Sequence, residues 1–387
     1  MVDRPGAAPA GIDVVLISNG FQAEYEIGFA NGLARCGVRP LLVCSDNMLR
    51  SRLDPGVATI NLRGSQRPDR PAWEKALNIL RYWLQLHRLL RSQNTRTIHV
   101  IGQFTLPSTW AALWEASLLR LSARHFVYTV HNLLPHDAHG SVNRWLYHCI
   151  YKLPHTLVVH TPRMRKTLQD QFGVAAHRIV VMEHGIDRLA PPAAGNRHWL
   201  HGRLGLPPQK PVVLFFGAVS PYKGLDTLVK ALVAAPDALD AILIVAGRCR
   251  DAALRRAITP SLTTLVDQGR ARWVDGFVSE DEVLHYFQGA DVLVMPYRAI
   301  DQSGVIFIAL ATGLPVVATD VGSLADYVPL TGGQLVAQDD ISALLAGLRA
   351  VLAATAHADR AVRVAVAARF LWSQTVLAVL PAYGGSR

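Results

Sequence analysis

Cysteine is scarce in this chain: there are four in 387 residues, and no Cys-x-x-Cys pair among Cys36, Cys44, Cys149 and Cys249. That excludes a disulfide framework or a structural zinc site of ordinary spacing and fits a reducing compartment. Long apolar runs are missing too. None approaches the ~18–20 residues a membrane span requires, and the opening MVDRPGAAPAG has no apolar signal-like region. The expectation is a cytoplasmic protein, soluble or peripheral on the inner face of the cytoplasmic membrane. Neither G-x-G-x-x-G nor G-x-x-x-x-G-K-[ST] occurs, so dinucleotide-dehydrogenase and P-loop readings lose their main support. Charge is sparse, 18% of residues against 50% apolar, which is the balance of a globular chain.

What charge there is lies unevenly. Up to Gly185 there are 21 Lys+Arg against 12 Asp+Glu, which accounts for nearly all of the net +10. A one-sided basic surface suggests an anionic partner such as a lipid headgroup, a phosphorylated acceptor or nucleic acid, with plain solubility as the alternative.

The length suffices for two domains. Strands are predicted at 13–18, 40–45, 97–101, 126–131, 156–160 and 179–183, separated by helices that include 27–36, 73–93, 107–121 and 162–172. The stretch 188–202 (RLAPPAAGNRHWLHG) breaks this pattern and reads as a linker. Strands then resume at 212–216, 241–246, 271–274, 292–295, 316–319 and 334–336, with helices at 224–234, 279–289 and 340–353. Ser279 and Glu282 have capping-box spacing. Apolar strands alternating with helices call for parallel sheets covered on both faces, with ligands beyond the carboxyl strand ends.

Four such ends carry candidate chemistry. The first strand runs into Ser18-Asn19-Gly20, where a glycine allows a tight turn and close approach of another molecule. The fourth runs into His131, with His136, Asp137 and His139 nearby. An imidazole there can face a polar substrate or be a satisfied structural group, and without matching carboxylate or cysteine spacing no metal site is expected. In the second half, Gly217-Ala218-Val219-Ser220-Pro221-Tyr222-Lys223-Gly224 puts a lysine just ahead of a helix. Pro296-Tyr297 then leads through Asp301-Gln302-Ser303-Gly304-Val305 into an apolar helix. Lys223 and the amides at Ser303, Gly304 and Val305 could grip one diphosphate from two sides, against the plain reading of a solvated lysine.

Taken in order, these residues resemble the GT-B glycosyltransferases, specifically glycosyltransferase family 4. The stretches that carry the likeness are GAVSPYKG, HGID at His184–Asp187, ADVLVMPYR, GLPVVATDVGS and the closing FLWSQTV. The resemblance implies α/β architecture with two Rossmann-like parallel-sheet domains facing across a cleft. It divides the chain into an acceptor domain at 1–187, a linker at 188–202, a nucleotide-sugar domain at 203–365, and a helix at 366–387 crossing back onto the first domain. It also implies transfer of a sugar from a nucleotide donor with retention of configuration. Lys223 then matches the diphosphate-binding lysine, His131 the histidine that contacts the donor sugar, and Gly20 and Gly217 the loops near the diphosphate. Two departures are visible. Ile308 stands where the family carries its second motif glutamate, although some branches have QSGV instead. Ala218 replaces an arginine, so Arg248 or Arg298 could share the phosphate contact with Lys223. No Asp-x-Asp motif occurs, so a metal-independent reaction is expected, with the nucleotide-sugar as co-substrate and no cofactor. Epimerase chemistry, an inverting transferase and a non-catalytic partner of a polysaccharide assembly remain as alternatives.

The helix predicted at 73–93 places Leu77, Leu80 and Leu84 on one side and Lys75, Arg81, Arg88 and Arg91 on another, with Arg63, Arg67 and Arg70 just upstream. A basic amphipathic helix of this kind suits an anionic membrane surface and a lipid-linked or glycan acceptor, while the plain reading buries the leucines against the sheet. Nucleic acid is not expected as a partner.

Overall fold

The structure, a computed structural model, describes residues 11–18, 23–67, 69–92, 97–106, 109–134, 140–355 and 360–384. The chain divides into two compact units, Met1–Asp187 with Phe370–Arg387, and Arg188–Arg369. Each is a Rossmann-like parallel sheet.

The first unit contains β1 (Val14–Ile17), α1 (Ala23–Arg35), β2 (Pro40–Cys44), β3 (Ala58–Asn61), α2 (Ala72–Ser92), β4 (Thr97–Val100), α3 (Trp110–Ser122), β5 (His125–Thr129), α4 (Ser141–Lys152), β6 (Thr156–Val159), α5 (Pro162–Phe172) and β7 (Ile179–Val181). The strand order is β3-β2-β1-β4-β5-β6-β7, all parallel. Central strands such as VVLI and PLLVC are buried along their whole length because helices cover both faces. One core gathers Phe104, Phe126, Tyr151 and Phe172, and the other Tyr25, Phe29, Met182 and Trp372.

The second unit contains α6 (Ala194–Leu204), β8 (Val212–Phe216), α7 (Leu225–Ala234), β9 (Ile242–Ala246), α8 (Ala252–Asp267), β10 (Ala271–Val274), α9 (Glu280–Gly289), β11 (Val292–Met295), α10 (Gly304–Thr312), β12 (Val316–Thr319), α11 (Leu324–Tyr327), β13 (Gln334–Val336), α12 (Ile341–Thr355) and α13 (Arg360–Val366). Its strands run in the order β10-β9-β8-β11-β12-β13, again all parallel.

Three expectations are corrected. The stretch 188–202 is not a free linker, because its second half belongs to α6. Gly195 and Gly202 make that helix intrinsically poor, so tertiary contacts hold it. Arg197 Nη1 donates to both carboxylate oxygens of Asp291 at 2.7 and 2.9 Å, and a Cβ on Gly289 would come within 2.8 Å of Leu200. Ser279 and Glu282 form no capping box. The Ser279 hydroxyl donates to the Glu282 carboxylate at 3.0 Å and accepts no cap bond from the backbone.

The third correction concerns the C-terminus. Of the residues expected to form one helix over 366–387, the described ones instead form the end of α13, α14 (Trp372–Thr375) and short 3-10 turns, and Phe370 onward belongs to the first unit. Trp372 anchors them. A Cβ on Gly28, Gly32 or Gly185 would lie 2.0, 2.9 or 2.1 Å from its atoms, so three glycines clear the space for one indole. The backbone adds two bonds, Ile186 N–H to Phe370 O at 2.7 Å and Trp372 N–H to Ile186 O at 3.1 Å.

Candidate functional site

In both sheets the strand order reverses direction, between β1 and β4 and between β8 and β11. Loops leaving two such neighbouring strands run to opposite faces and open a crevice at the carboxyl ends. In the second unit the loop after β8 carries Gly217–Gly224, and the loop after β11 carries Pro296–Ser303. The topology therefore brings the two sequence motifs together.

Lys223 closes a 3-10 turn, Pro221–Lys223, that Gly224 ends with φ +69°. The lysine side chain folds back over the strand end. Its Nζ donates to the Phe216 carbonyl at 3.3 Å and lies 5.5 Å from the centre of the Tyr297 ring. Only 6% of the residue is exposed, and among the described residues no carboxylate pairs with it. Burial without a counter-ion pulls its pKa down to about 8. A Cβ on Gly217 would sit 2.8 Å from that Nζ and 3.9 Å from Val305 Cγ2. Gly217, the ammonium and the first turn of α10 thus share one small space.

That first turn is open to an anion. Ser303 is its N-cap and makes no side-chain cap bond. The leading amides have no intrahelical acceptor, and the positive helix end adds to the ammonium. Gln302 Nε2 is buried beside this turn without a hydrogen-bond partner among the described residues. Asp301 is half-buried, and its carbonyl accepts from Ser323 N at 3.2 Å.

The two auxiliary arginines behave differently. Arg298 is a structural strut. It donates to Pro221 O at 2.6 Å, to Asp226 Oδ2 at 2.8 Å and to Thr227 Oγ1 at 2.7 Å, tying the lysine turn to α7. Arg248 is exposed, and its carbonyl accepts from Val219 N at 2.9 Å, so the residue stands at the rim of the β8 and β9 loops. Sequence reasoning missed Gly247 and Gly322. A Cβ on Gly247 would meet Gly217 O at 2.0 Å, and one on Gly322 would meet Ile300 O at 1.6 Å. The readable signal was a glycine just past the apolar runs ILIVA and VVAT.

In the first unit, Gly20 lies outside the described residues, as do His136, Asp137 and His139. His131 lies two residues beyond β5, half-buried. Its Nε2–H donates to Ile101 O at 2.8 Å, which leaves Nδ1 as an acceptor. Burial lowers its pKa to about 4, so the ring is neutral at physiological pH. His160 and His184 follow at ring-centre spacings of 5.3 and 5.8 Å, each with Nδ1–H on a carbonyl, and Tyr25 packs its ring against all three. Among the described residues no three His, Cys, Asp or Glu side chains are grouped to hold a metal ion.

Helix α2 departs from the expected sidedness. Its core face is Tyr82, Leu86, Leu89 and Leu90, while Leu77, Leu80 and Leu84 are 38–52% exposed. Arg81, Arg88 and Arg91 are exposed too. At 100° per residue they share an arc of about 100° with those leucines and Trp73 instead of opposing them. The exposed tryptophans Trp110, Trp114 and Trp145 on α3 and α4 extend this apolar surface, with the Trp114 ring centre 4.5 Å from that of Trp83 of α2. Among the described residues no helix is long and apolar enough to cross a membrane.

Comparison with known proteins gives two family matches, Glycosyltransferase Family 4 over residues 22–188 and Glycosyl transferases group 1 over residues 210–354. Among curated relatives, a D-inositol 3-phosphate glycosyltransferase of Xylanimonas cellulosilytica is 32% identical over 59% of this chain and 56% of its own length. The lipopolysaccharide core biosynthesis mannosyltransferase LpsB of Rhizobium meliloti is 34% identical over 43% of this chain and 48% of its own. The chain thus spans about half the length of these relatives. Among solved structures, sucrose-phosphate synthase of Thermosynechococcus elongatus superposes with TM-score 0.74 at 22% identity, covering 96% of this chain and 98% of that one. Anabaena HepE in complex with UDP and glucose gives TM-score 0.71 at 16% identity, covering 96% and 100%. At these identities the structural likeness is one of fold. With two parallel Rossmann-like sheets and both family signatures in order along it, the chain belongs to the GT-B glycosyltransferases of family 4, group 1.

Proposed function

We propose that this protein is a retaining glycosyltransferase that moves a sugar from a GDP- or UDP-linked donor to a lipid-linked or polysaccharide acceptor in cell-surface glycan synthesis. The observation that carries the reading is Lys223: a buried ammonium with no counter-ion among the described residues, sharing its space with the open first turn of α10. An unpaired buried cation is costly unless something anionic completes it. A diphosphate does so, and it needs that cation most when the sugar–oxygen bond breaks and negative charge builds on the leaving group. His131 offers a neutral Nδ1 that can accept from a sugar hydroxyl. Relatives named for inositol phosphate and lipopolysaccharide core transfer, and a fold neighbour solved with UDP, support the substrate classes.

The test is a thermal-shift screen with UDP, GDP and their sugars on wild type and Lys223→Met, since a ligand specific to the folded state stabilises it by mass action. One nucleotide is expected to stabilise wild type alone, and no response to any of them would overturn the reading. Product anomers analysed by NMR should keep the donor configuration. Because an ammonium and helix dipole neutralise the diphosphate here, activity is expected to persist in chelator. A chelator loss restored by manganese would contradict metal independence.

The reading also includes peripheral membrane contact through α2. Interleaved arginines and exposed leucines suit an anionic bilayer surface, where apolar burial and charge attraction add. Leu80→Glu with Leu84→Glu is expected to weaken co-sedimentation with anionic liposomes at least tenfold without altering the unfolding midpoint. Binding that ignores anionic lipid content would end the idea.

A further inference from the structure

The arginines at 63, 67 and 70 have no part in the donor chemistry, yet the first unit gathers them around a cavity of about 220 Å³. Lys75 joins them from α2, and among the described residues no carboxylate lines the space. Its size falls below the ~300–1,000 Å³ of a drug-sized ligand site and suits a headgroup-scale anion.

The pocket is built rather than accidental. Arg63 is 9% exposed; its guanidinium lies 5.0 Å from the centre of the Tyr82 ring and donates to Thr105 Oγ1 at 3.4 Å. Its backbone is pinned from both sides, because Asn78 Nδ2 and Gln66 Nε2 donate to the Arg63 carbonyl at 2.7 and 2.9 Å. Gly64 turns the chain with φ +57°, and its N–H donates to Asn61 Oδ1 at 2.9 Å. The acids near this cluster are few. Glu115 lies buried behind Thr105, accepting from Thr105 N and Oγ1 at 2.9 and 3.1 Å, and its charge offsets part of that of Arg63. Asp69 pairs with Arg67 through two bonds, Nη2 to Oδ2 at 2.6 Å and Nε to Oδ1 at 3.2 Å, with both side chains mostly exposed; it also acts on Lys75 and Arg70 at longer range, as Glu74 does on Arg67. Both partners are open to solvent, so a phosphate dianion can compete with Asp69 for the Arg67 fork. Guanidinium forks match phosphate oxygens two at a time.

We propose that this pocket is a phosphate-binding site of the first unit, taking a phosphomonoester. Lys75, Asn78, Ile79 and Tyr82 line it from one face of α2 while Leu77, Leu80 and Leu84 leave the opposite face exposed. The phosphate can therefore come from a soluble molecule or from a lipid headgroup. As the anchor of the sugar acceptor the site rests on the transferase reading; as an anion site it does not.

The test measures binding to full-length protein carrying Lys223→Met, which removes the donor-side cation, with and without Arg67→Gln and Arg70→Gln. Both of those arginines have exposed or half-buried side chains, so folding is expected to survive. In one arm glycerol 3-phosphate is titrated by calorimetry at constant ionic strength set with chloride. In the other, vesicles of phosphatidylcholine with phosphatidic acid are compared with vesicles containing phosphatidylglycerol, a diester of lower charge. Saturable glycerol 3-phosphate binding, weakened at least tenfold by the double substitution, assigns a soluble phosphate. Arginine-dependent binding only to phosphatidic acid vesicles assigns a lipid headgroup. Equal binding by folded protein with and without the substitutions, in both arms, overturns the site. Loss of nucleotide-induced stabilisation in the Lys223 background with the phosphate response intact separates the two readings.

Discussion

Replacing Lys223 by alanine is expected to lower kcat by about 10²–10³-fold, the cost of removing one preorganised oxyanion stabiliser from a water-poor site, while the folded chain stays as stable or gains. The second half of that expectation distinguishes a functional lysine from a structural one. Its Nζ makes a single 3.3 Å bond to a carbonyl, which does not offset the loss of hydration at 6% exposure. Lys223→Met keeps the volume and drops the charge, so it should unfold no earlier than wild type. The pH dependence gives an independent check. With the pKa at about 8, the free protein loses this charge as pH rises through that value, so diphosphate affinity falls and binding takes up a proton. Stability runs the other way. The unfolded lysine keeps its proton up to the ordinary value of 10.5, so between about 8 and 10.5 the unfolded chain binds more protons and this group's contribution to folding rises with pH. Calorimetry in two buffers and denaturant midpoints across that range should show both trends in wild type and neither in Lys223→Met. A variant with unchanged turnover would remove Lys223 from the chemistry.

The position of that lysine was legible because the physics is local. A buried parallel strand is a short apolar run closed by turn residues, so β8 (VVLFF) and β11 (VLVM) begin and end where their apolar runs do. A loop leaving such a strand at a reversal of strand order faces the crevice, and GAVSPYKG and DQSGV occupy two of these loops. The rest depended on tertiary context. β3 (ATIN) is half-buried throughout and shows no apolar run. α8 contains Pro260, which reads as a breaker. In α2 the aliphatic stripe 77/80/84 looks like a core face, but the sheet takes Tyr82, Leu86, Leu89 and Leu90, and periodicity alone does not say which of two apolar stripes a neighbour covers. Arg298 shows the same dependence on context. By position it is a candidate phosphate ligand, and only its bonds to Asp226 and Thr227 reveal it as the strut of the lysine turn.

Gly322→Ala should be the most disruptive single methyl in the second unit, costing roughly 3 kcal/mol and the nucleotide response together. The glycine sits at φ +56° just past β12, and its missing side chain leaves room for the carbonyl of Ile300. A Cβ there would stand 1.6 Å from that oxygen and 2.8 Å from its carbon, and a backbone group cannot rotate away as a side chain can. Either β12's exit or the 300–303 segment must move, and the second carries Gln302 and the N-cap of α10. Gly205→Ala supplies the comparison. Gly205 has nearly the same backbone, φ +61°, and an added methyl would meet nothing within 4 Å, so the substitution should incur only the strain of the left-handed conformation, about 1 kcal/mol. Urea midpoints with unchanged m-values would give both costs, and UDP or GDP thermal shifts would report the site. If the two alanines destabilise equally, contact with Ile300 does not hold this loop; if Gly322→Ala unfolds early yet binds nucleotide as wild type does, the loop it supports is not where the diphosphate is held.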